Sequence, residues 1–195
     1  MGSDQRTVMP SSVYAQCLEA HYARTWAGPM NRVRMAKGPV GDLPSDFEVI
    51  IVPRSEDTTA YATVCMSQSH DAERLELHLL TRSGDEIRDE LVEILTAVVH
   101  YHRTGQTLGL GHSVNFGKPW FPRSRCTHGV ISLPYLDGPE LEWLAEPKVR
   151  FLWLIPVTEA EVAYKKRHGM EALEQRFEAA SFDYLDPTRA SVVPD

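Results

Sequence analysis

Histidines are the residues of this chain with the most obvious chemical potential. His100 and His102 stand two apart, His112 follows in a glycine-rich stretch, and Glu76 and His78 alternate with leucines. On a helix, two residues turn about 200° around the axis, so His100 and His102 cannot chelate one metal unless the helix has ended. His-Glu-x-x-His and His-x-Glu…Pro-Cys-x-x-Cys are both missing, and with them the common zinc signatures. Glu76 and His78 share one face of a strand, which would suit acid–base work or simply a solvated face. A hydrolase or metal enzyme using the histidines between His78 and His112 is therefore a secondary expectation. No catalytic residue, metal ligand or cofactor is assigned.

Other motifs fall short of chemistry. In Gly109-Leu-Gly-His-Ser113, Asn115 stands where a nucleophile elbow needs its last glycine, and Val114 where a dinucleotide loop needs its third. A turn is the better reading. Cys17, Cys65 and Cys126 are far apart with no Cys-x-x-Cys, which reads as reduced thiols. Lys165 to His168 is a basic cluster in a last helical turn, where the helix dipole favours it. Asp186 and Arg189 are expected to cap and pair within one turn, a structural role, since Asp before Pro-x-x-Arg is a natural turn starter.

Recognition is better supplied than catalysis. Trp120 and Phe121 lie in Lys118-Pro-Trp-Phe-Pro122, and Tyr135, Asp137, Glu140, Glu142 and Trp143 in a second proline-containing segment. Aromatic residues anchor interface hot spots, proline lowers the entropy lost on binding, and the three acids would form a rim favouring a basic partner. The competing reading makes Trp120 and Trp143 lids packed on a sheet.

These residues need elements to position them. Ser11 and Ser12 can cap a helix to about Trp26, with Val13, Cys17, Leu18, Tyr22 and Trp26 on its apolar face. Arg32 to Ala36 reads as a short edge strand; Phe47 to Val52, Ala60 to Met66 and Leu75 to Leu79 read as strands, the last with one face buried. Ser83-Gly-Asp-Glu86 is a capping box for an amphipathic helix to about His102. Ser113–Phe116 and Val130–Leu133 are short strand candidates, and a turn or short helix begins at Pro139. Val149–Val157 is a buried-strand pattern, and Thr158-Glu-Ala-Glu161 caps the helix after it. That helix is interrupted at Gly169, a plausible C-cap, and Met170, Leu173 and Phe177 carry a further helical face.

The order implies one α/β (α+β) domain over residues 11–195, a central mixed β-sheet flanked by helices, with the first ten residues disordered. Its core should contain Phe47, Val49, Ile51, Leu77, Leu79, Leu91, Leu95, Val98, Phe151, Trp153 and Ile155. The 195 residues suit one domain, and 43% apolar with 24% charged residues is ordinary for a globular protein. A net charge of −7 argues against a nucleic-acid partner and suits a basic protein, or serves solubility. Residues 1–7 lack a signal-peptide core, Arg6 stands where myristoylation wants Ser or Thr, and the run to Val157 is too short to span a bilayer. A cytoplasmic protein is expected, with no membrane partner.

Strand, Pro, Thr-x-x-Glu helix and Leu185-Asp-Pro-Thr-Arg-Ala-Ser-Val192, in that order, resemble the end of the suppressor of fused domain family. Leu75-Glu-Leu-His-Leu-Leu80, the helix from Asp85 to His102 and Gly105-Gln-Thr-Leu108 extend the resemblance, which runs from Phe47 to the C-terminus. It implies an α/β domain without enzymatic activity that acts by binding another protein. The eukaryotic member restrains a zinc-finger transcription factor, and bacterial single-domain relatives are proposed immunity proteins against polymorphic toxins. Nothing here corresponds to the second domain against which the eukaryotic partner peptide is clamped, so that partner is not carried over. The expectation is a bacterial binding module, an immunity protein in its narrower form, with a basic toxin domain as partner. A scaffold subunit pairing through an edge strand is a third expectation.

Overall fold

The computed structural model describes residues 9–36, 40–82 and 85–194. Runs rich in β-branched and aromatic residues become strands: β1 Asn31–Val33, β2 Glu48–Pro53, β3 Thr58–Val64, β4 Leu75–Arg82, β5 Ser113–Asn115, β6 His128–Ser132, β7 Trp143–Leu144 and β8 Val149–Val157. Among the described residues five α-helices accompany them: α1 Ser11–Thr25, α2 Arg88–Thr104, α3 Pro139–Glu142, α4 Glu159–His168 and α5 Met170–Ala179. All pack as one domain.

The sheet is mixed, with strands in the order β1-β2-β3-β4-β8-β6-β5. β1 to β4 form an antiparallel meander. β8 then joins β4 in parallel, with Leu75 opposite Arg150 and His78 opposite Trp153. Its other edge carries β7 and β6, both antiparallel. β4 and β8 are therefore central strands covered on both faces. Under α2, Phe47, Val49, Ile51, Leu77 and Leu79 pack with Leu91, Leu95 and Val98. On the opposite face, Phe151, Trp153 and Ile155 pack with Tyr14, Leu18 and Tyr22 of α1 and with Leu173 and Phe177 of α5. Every expected core residue is buried.

Several expectations need correction. α1 buries Tyr14, Leu18, His21 and Tyr22, while Val13 is 42% exposed, so the apolar face is rotated from the expected one. Pro10, with no side chain to accept a hydrogen bond, is its N-cap, not a serine. The edge strand is β1, shorter than Arg32–Ala36. Ser83 and Gly84 of the expected capping box lie outside the described residues; α2 itself begins at Arg88, with Ile87 as N-cap and no side-chain cap. β4 is buried on both faces; Glu76 and His78 are fully enclosed rather than solvated. The Thr158 capping box is present, with Thr158 Oγ1 accepting from Glu161 N and Glu161 Oε2 from Thr158 N. Gly169, at φ 92°, ends α4.

Asp186 caps its turn and the Arg189 amide donates to Asp186 O, but their side chains do not pair. Asp186 accepts from the Thr188 amide and hydroxyl. Arg189 reaches back to the buried Glu161 at 2.7 and 2.9 Å, donates to Pro156 O and lies over the Phe182 ring. Glu161 also accepts from Val192 N. One buried carboxylate thus ties the C-terminal segment to β8 and α4.

Candidate functional site

The residues singled out for chemistry are not brought together. His100 Nε2 lies 3.3 Å from Asp42, His102 Nδ1 accepts from the Leu108 amide, and His112 is exposed. Among the described residues no three His, Cys, Asp or Glu side chains are arranged to hold a metal ion. Burial lowers the pKa of His102 and raises those of the Cys65 and Cys126 thiols, the latter to about 12. Such thiols stay protonated at neutral pH. Glu76 and His78 share one strand face but turn to different partners. Glu76 accepts from Thr63 Oγ1 at 2.6 Å and from the amides of Met66 and Ser67. Burial pushes its pKa up to about 8 in spite of these donors.

His78 belongs to a second buried group. It stacks parallel to Trp153 and edge-on to Trp26. Its Nε2 lies 3.2 Å from Asp137 Oδ2, off the axis of an aligned hydrogen bond. Asp137 Oδ1 accepts from Trp26 Nε1 at 2.7 Å and pairs with Arg54 at 2.7 Å. Burial acts to raise the Asp137 pKa, but His78, Trp26 and Arg54 outweigh it and hold the carboxyl below its ordinary value. Asp137 is thus an internal anchor, not the rim acid expected from its neighbours.

The two tryptophan loops part company. Trp120 is 3% exposed, donates Nε1 to His128 O and meets Phe116 edge-on. It is a lid on the α2 side of the sheet, where the partly buried Phe121 also packs. Trp143 lies in the segment packed on the other side, and is 47% exposed with Lys148 and Arg150 over its ring. One continuous surface of Trp120, Phe121 and Trp143 does not exist.

What the structure does assemble is the Tyr135–Trp143 segment. Tyr135 and Leu136 are 49% and 50% exposed. The Tyr135 hydroxyl donates to Glu174 of α5, and Gly138 takes φ +81°, which favours glycine. His21 Nε2 donates to Leu141 O at 2.8 Å, and Leu141 is buried. Glu140 is exposed, and Glu142 accepts from both Arg150 Nε and Nη2. Beside Trp143 runs a groove of about 790 Å³, with Leu110 on its wall.

A mixed sheet covered on both faces, with its buried acids held by internal partners and an aromatic loop standing out from it, is an α+β domain suited to protein contact. The family model for Suppressor of fused protein (SUFU) matches residues 44–190, and the chain belongs to that family. A structure assigned as a suppressor of fused homologue from Neisseria gonorrhoeae is 30% identical, over 94% of this chain and 99% of that one, with TM-score 0.78. A chain of the Sufu–Fu complex is 15% identical over 92% of each chain, TM-score 0.68. Drosophila Suppressor of Fused is 14% identical, TM-score 0.57; the match covers 91% of this chain and half of that one. The last two show the fold alone. A sequence search of curated proteins finds no match. No helix among the described residues is long and apolar enough to cross a membrane.

Proposed function

We propose that this chain is a non-catalytic protein-binding module whose partner face is the exposed part of the Tyr135–Trp143 segment. The observation that carries this reading is the placement of Tyr135, Leu136 and Trp143. Each is about half exposed, while the Leu141 carbonyl is held by His21 of α1, the buried Asp137 carboxylate lies against His78 of β4, and the Tyr135 hydroxyl donates to Glu174 of α5. Large apolar side chains held outward by a buried framework suit an interface anchor. Family membership supports the same reading, as does the Sufu–Fu complex, a partner-bound relative of the same fold. The net charge of −7 and the exposed Glu140 favour a basic partner.

In its narrower form the proposal is a cytoplasmic bacterial immunity protein that neutralises a basic toxin domain. Co-expression with each toxin encoded beside the gene tests it. Growth should be rescued by the native chain and rescued less by Trp143→Ala of equal abundance. Arrest by every neighbouring toxin, unrelieved by the native chain, rejects the immunity role. A pulldown from the native host then tests the broader binding role, and capture unaffected by Trp143→Ala and Leu136→Ala rejects the surface.

A further inference from the structure

We propose that Asp137 is a latch that fixes residues 134–142, through Trp26, Arg54 and His78, in the conformation that presents Tyr135 and Leu136 outward beside Trp143, which the β7–β8 pairing holds. The proposal takes its functional meaning from the partner surface above. Its mechanical content concerns the free protein and stands or falls separately.

The geometry has three parts. Asp137 lies in the middle of an exposed stretch, next to Leu136 at 50% exposure, yet its own side chain is 0% exposed. Its partners come from three segments: Trp26 follows α1, Arg54 follows β2, and His78 sits within β4. A single carboxylate therefore fastens the loop to a helix and to the sheet at once. The backbone around it is a tight turn, in which the amides of Asp137 and Gly138 both donate to Pro134 O at 3.0 Å.

A buried carboxylate is tolerated only where its donors reach it, so it disfavours other loop conformations more sharply than apolar contact does. Trp26 is itself fixed. It stacks on Tyr22, and the chain two residues on runs so close to Pro53 that a Cβ on Gly28 would fall 2.0 Å from the Pro53 carbonyl oxygen. The latch thus closes on rigid elements. The benefit is a surface that is already ordered when the partner arrives, sparing the entropy of ordering a loop. Asp137 acts through position and touches no partner itself.

Hydrogen exchange of the free protein, read by mass spectrometry, tests the latch. In Asp137→Asn, amides between residues 134 and 142 should exchange about ten-fold faster or more, while peptides of β2, β4 and β8 stay within about two-fold of the native chain. Arg54→Met should show a smaller change in the same peptides, and Arg54→Lys, which keeps the charge, should restore protection. Unchanged loop exchange in both Asp137→Asn and Arg54→Met overturns the proposal. So does acceleration spread equally over α1 and β4, which would make Asp137 a general core residue. If Asp137→Asn does not fold, Arg54→Met decides, since the Arg54 side chain is at the margin, 23% exposed. A partner unaffected by Trp143→Ala would reject the surface and leave the exchange result standing.

Discussion

Glu76→Gln should change how stability depends on pH. The folded protein holds the Glu76 proton with a pKa of about 8, against 4.5 for an ordinary glutamate. Between these values the folded state binds a proton that the unfolded chain has released, so stability falls as pH rises. The contribution of Glu76 is fully present below about pH 4.5, declines to pH 8 and is flat above. Each pH unit in that window corresponds to about 1.4 kcal/mol, giving a total on the order of 5 kcal/mol. The protonated form also fits its surroundings. The carboxylic acid can donate to Thr63 Oγ1 at 2.6 Å, and the Thr63 hydroxyl is then free to donate to Leu77 O at 3.2 Å. Gln mimics that neutral form and cannot titrate. Urea unfolding from pH 5 to 9 at constant ionic strength should find the variant close to the native chain at pH 5 and progressively more stable than it up to pH 8.5. The buried His21, His102 and His128 have lowered pKa values and so give the opposite slope at the acid end. They do so in both proteins and cancel in the difference. Parallel stability curves from pH 6 to 8 would show that Glu76 is ionised throughout and that its burial has been misread.

Removing Arg189 leaves Glu161 buried and unpaired, so Arg189→Met should lower stability by about 3–5 kcal/mol in urea unfolding, and adding Glu161→Gln should recover part of it. Trp120→Ala empties a buried site and should cost about 3–5 kcal/mol. Trp143→Ala, at the surface, should cost about 1 kcal/mol or less; equal losses would refute the division into lid and interface. Because His100, His102 and His112 do not converge, elemental analysis of purified protein should find no stoichiometric zinc or iron. Metal lost on His102→Ala would reverse that conclusion.

The parts legible in sequence were the local ones. The Val149–Val157 run needs only its own apolar density, and the Thr158 capping box only residues three apart. The local pattern misleads where partners are distant. The Leu75, Leu77, Leu79 alternation pointed to a half-exposed strand, although Leu80 breaks the alternation and marks both faces as apolar. Glu76 and His78 then have to be internal, but their partners at Thr63 and Asp137 leave no trace in the local pattern. Asp137 could not be separated from Glu140 and Glu142, because its burial depends on residues 26, 54 and 78. Trp120 and Trp143 sit in similar local settings, and only the path of the chain across the sheet tells them apart. Arg189 reads as the partner of its neighbour Asp186 for the same reason; its side-chain partner, Glu161, is on another element.

The central position of β8 has a consequence for how the chain folds. The β1–β4 meander is built from neighbouring segments and β5–β6 pair locally, so both can form while the rest of the chain is still searching. Neither joins the other until β8 arrives, because β8 lies between β4 and β6 and bridges them. Bringing Arg150 alongside Leu75 closes a long loop before most of the central core exists. The rate-limiting barrier should therefore include β8 docking, with folding on the millisecond-to-second scale of chains dominated by distant contacts. Until that step, one edge of β4 is open, and the half-formed sheet is a template for another copy of the chain.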